Sequence, residues 1–102
     1  MSIVRLIFCK FPADQAAKAE RNWRENCAPL MIEQEGCLSE ELLRCVDNPG
    51  EMISYSEWDS QEAVDAYLDS DAYGKIKKHN RNIKDAEVTV KHYELVDDSE
   101  RD

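Results

Sequence analysis

Long apolar runs are missing from this chain of 102 residues. No stretch approaches the ~20 apolar residues that cross a bilayer, so no membrane span is expected. The opening Ile3 to Cys9 run has no basic leader and carries Arg5, which argues against a secretory signal peptide. Glycine is scarce, with 3 in the chain, and none forms a phosphate-cradling loop or a G-x-S-x-G elbow, so kinase and hydrolase readings fall away. Histidine is scarcer still. His79 and His92 stand alone, with no neighbouring His or Cys ligand, and no dedicated metal site is expected. Cys9, Cys27, Cys37 and Cys45 contain no C-x-x-C pair, and Cys37 and Cys45 fall on one expected strand, too far apart to bridge. A disulfide scaffold is not expected, and a reducing cytoplasm fits best. Positive charge is in deficit, with 13 Lys+Arg against 22 Asp+Glu and a net charge of −9. That balance repels phosphate backbones and acidic membrane surfaces, so neither nucleic acid nor membrane is an expected partner.

What is present fits one small domain, residues 1–96, followed by an acidic tail, residues 97–102, with nothing apolar to pack. Ile3 to Phe11 is apolar at odd and even positions, and alternate residues of a strand point to opposite faces, so both faces of this strand need cover. From Asp14, an expected N-cap, the residues Ala16, Ala19, Trp23, Cys27 and Leu30 recur at helical spacing. Pro29 is expected to kink that helix or end it early, and Gly36 to turn the chain out of it. Leu38 to Val46 and Met52 to Trp58 read as strands joined by the turn Asp47-Asn48-Pro49-Gly50. Asp59 with Glu62 predicts a capping box before a second helix carrying Ala63, Val64, Tyr67 and Leu68. A further short helix is predicted to hold Tyr73, Ile76, Asn80 and Ile83. Val88 to Leu95, rich in β-branched and aromatic residues, reads as the last strand.

The order strand, helix, strand, strand, helix, strand is the split βαβ arrangement. The expected fold class is α+β, ferredoxin-like, with a four-stranded antiparallel sheet and helices on one face. The other face, apolar on the first strand, is expected to be buried against a second copy in a homodimer.

The stretch Pro49 to Ala63, preceded by Gly36-Cys37-Leu38, resembles the antibiotic biosynthesis monooxygenase family of dimeric α/β barrels. The resemblance covers roughly Ile3 to Leu95, and Trp58-Asp59-Ser60 with Ala63 is its most telling element. It implies a pocket between sheet and helices, used in several members to oxidise flat phenolic or quinol-like molecules with O2 without metal or flavin. Other members degrade haem and resemble this chain through Tyr67 to Tyr73. Here Tyr67 stands where those enzymes carry a tryptophan, Lys77 where they carry the iron-binding histidine, and no Asn occupies the first strand.

Four residues are the candidate site. Trp58 ends a strand beside the expected pocket, where an indole can stack on and orient a flat substrate; the alternative is a core anchor. Tyr67 and Tyr73 could both reach one cavity mouth and hydrogen-bond a phenolate. His79, with an unperturbed pKa of ~6.5, is the candidate base, set against a solvated place in the basic run Lys75 to Arg81. Trp23 is expected in the core, and His92 on a buried side of the last strand. The expected activity is a cofactor-independent monooxygenase acting on a small aromatic or quinol-like substrate, and no cofactor is expected. The alternatives are a haem-binding or haem-degrading protein and a non-catalytic small-molecule-binding dimer.

Overall fold

A strand apolar on two sides belongs in the middle of a sheet, and in the computed structural model, which describes residues 2–96, β1 (Ile3–Lys10) takes that place. It pairs antiparallel with β3 (Glu51–Trp58) on one side and β4 (Glu87–Glu94) on the other, and β2 (Cys37–Arg44) completes the sheet beyond β3. The order β2-β3-β1-β4 is that of the ferredoxin-like α+β fold. Register places Arg5 opposite Ser56 on β3 and opposite His92 on β4, while Glu40 on β2 also faces Ser56. Glu40, Ser56, Arg5 and His92 thus form one row across the sheet. With a period of two, all four point to the face that the helices cover.

The helices are α1 (Ala16–Asn22), α2 (Ala28–Ile32), α3 (Gln61–Leu68) and α4 (Asp71–Asn80). Between α1 and α2 the chain widens into a π turn, Trp23–Cys27, in which the Ala28 N–H donates to the Trp23 carbonyl. Pro29 supplies the reason: it has no N–H to give and its ring crowds the carbonyl four residues back, so the preceding turn opens. The helix is deformed at Pro29 rather than ended there. At its start Asp14 is no cap. It lies in a short 3-10 turn, Ala13–Gln15, and α1 begins without a side-chain cap.

The second helix is capped one residue later than the sequence suggests. Ser60 Oγ accepts the Ala63 N–H at 3.1 Å, and Asp59 only accepts from the Ser60 hydroxyl. Ser70 caps α4 in the same way, accepting the Tyr73 N–H at 3.2 Å while its hydroxyl donates to the Tyr67 carbonyl. Gly36 makes the turn into β2 at φ +86° and accepts the Asp59 N–H at 2.8 Å. The hairpin closes as expected, with Glu51 N–H on the Asn48 carbonyl.

The core lies between helices and sheet and is built from Ile3, Cys27, Met31, Trp58, Val64, Tyr67 and Ile76. The four cysteines are free thiols. On the opposite face of the sheet Val4, Leu6, Phe8, Ile53, Tyr55, Leu43 and Tyr93 point away from the helices, as their register requires. His92 departs from expectation: it shares a face with Val88 and Val90, yet β4 is an edge strand and every one of its residues, His92 included, is exposed. The acidic tail, residues 97–102, lies outside the described residues.

Candidate functional site

Between the helices and the β1, β3 and β4 strands lies a cavity of about 210 Å3. Alternation along β1 supplies its floor, since Arg5, Ile7 and Cys9 all point to the helix side, and Ser54 and Met52 add the neighbouring strand. The widened π turn brings Trp23 and Cys27 to one wall, and Tyr67, Tyr73, Ile76 and Asn80 form another. Val88 and Val90 complete it at the exposed β4 edge, which marks the open side.

In and behind this apolar lining the polar groups are few and placed. Trp23 Nε1 donates to Ser54 Oγ at 3.3 Å, and Trp58 Nε1 donates to Ser56 Oγ at 2.9 Å. Asn22 Nδ2 donates to Asn80 Oδ1 at 2.9 Å, tying α1 to α4. The aromatic rings form a chain: Trp58 stacks on Tyr67 at 4.9 Å between centroids, and Tyr67 meets Tyr73 at 5.2 Å with the planes tilted by 60°. Arg5 lies against both tyrosines, its guanidinium carbon 5.8 Å from the Tyr67 centroid and 5.9 Å from that of Tyr73, and Lys77 Nζ lies 4.8 Å from the Tyr73 centroid.

Arg5 is the unusual member. It is only 4% exposed, and its Nε has no hydrogen-bond partner among the described residues. Glu40, in the same row of the sheet, is likewise stranded, with both carboxylate oxygens buried and unpartnered. Burial pushes the Glu40 carboxyl up to about 8, an effect that the Trp23 indole and the Arg5 charge only partly offset. Burial also pushes the Cys9 and Cys27 thiols up to about 11, so both are protonated and unreactive at neutral pH. The Tyr67 hydroxyl is pushed up as well, chiefly by burial.

The expected site residues divide. Tyr67 and Tyr73 line the cavity together. Trp58 is fully buried and stands behind Tyr67 rather than at the cavity wall, so its position is that of the core anchor. His79 is half-buried on α4 and does not line the cavity. Trp23, expected in the core, packs against it and also forms part of the cavity wall. Arg5, Glu40 and Ser54 escaped sequence reasoning. Their signal was legible: Arg5 alternates with Ile3, Ile7 and Cys9, so a lone cation falls on an otherwise apolar inward face.

A haem does not fit these residues. The lining contains no histidine, its thiols are protonated, and Lys77 is engaged with the Tyr73 ring. The volume also falls below the ~300 Å3 at which sites for drug-sized ligands begin.

An apolar cavity with a few convergent polar groups, under helices on a ferredoxin-like sheet, defines a small-molecule-binding α+β domain. The chain belongs to the antibiotic biosynthesis monooxygenase family, whose profile matches residues 2–79. The fold is similar to that of SnoaB, a cofactor-independent oxygenase from Streptomyces nogalater, with a TM-score of 0.81, 14% identity and 94% of each chain covered. It is also similar to Rv0793 from Mycobacterium tuberculosis, with a TM-score of 0.75 and 22% identity over 95% of this chain and 98% of that one. A conserved protein from Methanosarcina mazei matches with a TM-score of 0.75 and 18% identity over 91% and 92% of the two chains. No curated protein sequence matches significantly. No helix among the described residues is long and apolar enough to cross a membrane.

Proposed function

We propose that the protein is a cofactor-independent monooxygenase that oxidises a small phenolic or quinol-like substrate with O2. The observation that carries this reading is the cavity of about 210 Å3, walled by Trp23, Tyr67 and Tyr73 and floored by Arg5, in a chain of this family. A void of ~150 Å3 already accepts benzene, so this one suits a substrate of one or two rings. The rings offer flat stacking surfaces, and the apolar lining keeps water from the reacting carbon.

In the proposed reaction the deprotonated substrate gives an electron to O2 and the two resulting radicals combine. One oxygen atom enters the ring carbon and the other leaves as water, so that a hydroquinone and O2 become a hydroxyquinone and H2O. The protein's part is to hold the phenolate, orient it between the rings and exclude solvent. Tyr67 and Tyr73 are the proposed contacts with the substrate, with Trp58 fixing Tyr67 from behind. The working unit is a homodimer joined through the uncovered sheet face, and the free thiols suit a reducing cytoplasm.

Oxygen uptake with a panel of hydroquinones and anthrones tests the reading. Uptake above the buffer rate is expected with one- and two-ring members and at least tenfold less in Tyr73→Ala, while His79→Ala is expected to retain it. No stimulation by any compound would remove the proposal.

A further inference from the structure

Resting on the proposed reading of the same cavity, we infer that its ligand is a compact aromatic oxyanion whose charged oxygen is taken by Arg5, with Glu40 as the internal group that competes for that guanidinium. Arg5 reaches the cavity from the middle strand, is 96% removed from solvent by its 4% exposure, and leaves Nε without a partner. A buried guanidinium with an unused donor is costly unless an acceptor meets it. Ser54 beside it is already an acceptor for Trp23, and Ser56 is one for Trp58. The two rings above Arg5 soften the cost of burying its charge without supplying that acceptor.

Glu40 is the obvious counter-ion and does not make the contact. It lies two strands away in the same row, with Ser56 between, so the two backbones are separated by about 10 Å, twice the strand spacing. No ion pair joins them, and both Glu40 oxygens stay unpartnered. With its carboxyl pushed up to about 8, Glu40 is mostly neutral at pH 7, which leaves the positive charge of Arg5 uncompensated in the cavity. An anion bound at neutral pH therefore completes the site. Above pH 8 Glu40 ionises, and the attraction for a second anion falls.

The groups facing this pair from each element leave that window clear. Cys37 on β2 and Cys27 on the π turn titrate near 11, and the Tyr67 hydroxyl on α3 is pushed up. His92 on β4, though exposed, is lowered by partial desolvation and by Arg5, against which Asp65 on α3 pulls upward, so it stays neutral across this window. Tyr73 and Lys77 on α4 face the cavity from above.

Benzoate is the probe, because its charge does not change between pH 7 and 9, and benzyl alcohol is its neutral match in size. By calorimetry or ligand-observed NMR, benzoate is expected to bind at least tenfold more tightly than benzyl alcohol at pH 7. Arg5→Met should remove that preference, so that benzoate binds no more tightly than benzyl alcohol. From pH 7 to 9 the wild-type affinity for benzoate should fall about tenfold, and Glu40→Gln should flatten the profile. If Arg5→Met does not fold, the benzoate preference of the wild type and its loss with pH still decide the matter. Equal binding of the two probes, or a pH fall that persists in Glu40→Gln, would overturn the inference. Oxygen uptake with neutral quinols but no benzoate preference would sink this inference and leave the oxygenase reading. Benzoate selectivity with no oxygen uptake would do the reverse.

Discussion

Glu40 shows how a single inward charge changes a small core. It occupies a helix-facing position of β2 in line with Leu42, where a leucine would pack without cost. A carboxyl raised to about 8 by burial binds its proton more tightly folded than unfolded. The sign follows: the folded state is favoured below the ordinary carboxylate range, and that advantage is lost as pH rises toward 8. Above pH 8 the protein carries a buried, unpartnered carboxylate. Glu40→Gln is therefore expected to stabilise the protein at pH 8.5 by on the order of 2 kcal/mol, after allowance for relaxation around the charge, and to change little at pH 4.5. Urea melts at the two pH values check this. Equal effects at both would show that the carboxyl is not held in its neutral form. Trp58 and His79 drew attention as chemically capable types, but reach is set by alternation and helix phase, which favoured Arg5 and Trp23. The apolar character of β1 concealed that Arg5, unlike Lys10 at the strand's end, points inward.

At the scale of elements the sequence was most legible where the backbone has few options. The four strands and their turns follow from alternation, from Pro49-Gly50 and from β-branched composition, and each strand lies within one or two residues of its expected place. The caps were less legible, because Asp59 and Ser60 are both good N-caps and only the path of the chain from β3 decides for Ser60. The π turn was visible only as a Pro29 problem. Its outcome, a wider turn that carries Trp23 and Cys27 to the cavity, depends on what α4 and the sheet accept. Two glycines give an element-scale test. At Gly36, φ is +86° and an added Cβ would lie 2.5 Å from Ala63 Cβ and 2.8 Å from Asp59 Oδ1. Gly36→Ala is expected to destabilise by about 2–4 kcal/mol, by combining backbone strain with a clash against the start of α3. Gly74 lies inside α4 with nothing within 4 Å of an added Cβ. Gly74→Ala is expected to stabilise by about 0.5–1 kcal/mol through helix propensity. Chemical denaturation of the pair gives opposite shifts in midpoint if each glycine has the part assigned to it.

At the scale of the whole molecule one side of the sheet has its cover and the other does not. Val4, Leu6, Phe8, Ile53 and Tyr55 lie together on the uncovered face, flanked by Leu43 and Tyr93, of which the last two are 46% exposed each. Charge on this face is divided. Glu41, Glu51 and Glu57 sit on the β2 and β3 side, and Lys10 and Lys91 sit on the β1 and β4 side with Glu87 opposite Lys10; burial first, then Glu57 and Glu41, raises the Tyr55 hydroxyl. A two-fold axis running along β1 at Leu6 would set the β2 and β3 side of one copy, with its three glutamates, against the lysine-bearing β4 side of the other. The chain exposes 6801 Å2, and a standard interface takes about 800 Å2 from each partner, which this sheet face can supply. Multi-angle light scattering at micromolar concentration is expected to give twice the mass of 11.8 kDa. Leu6→Asp places a charge at the centre of the patch without touching the helix side, and is expected to give a folded or partly destabilised monomer. Association that weakens with added salt would place the Glu and Lys halves opposite one another, since such rim contacts are screened within about 10 Å at 0.1 M. A wild-type monomer with that face wet would remove the dimer, while leaving the cavity on the opposite face of the sheet where the helices and β1 already form it.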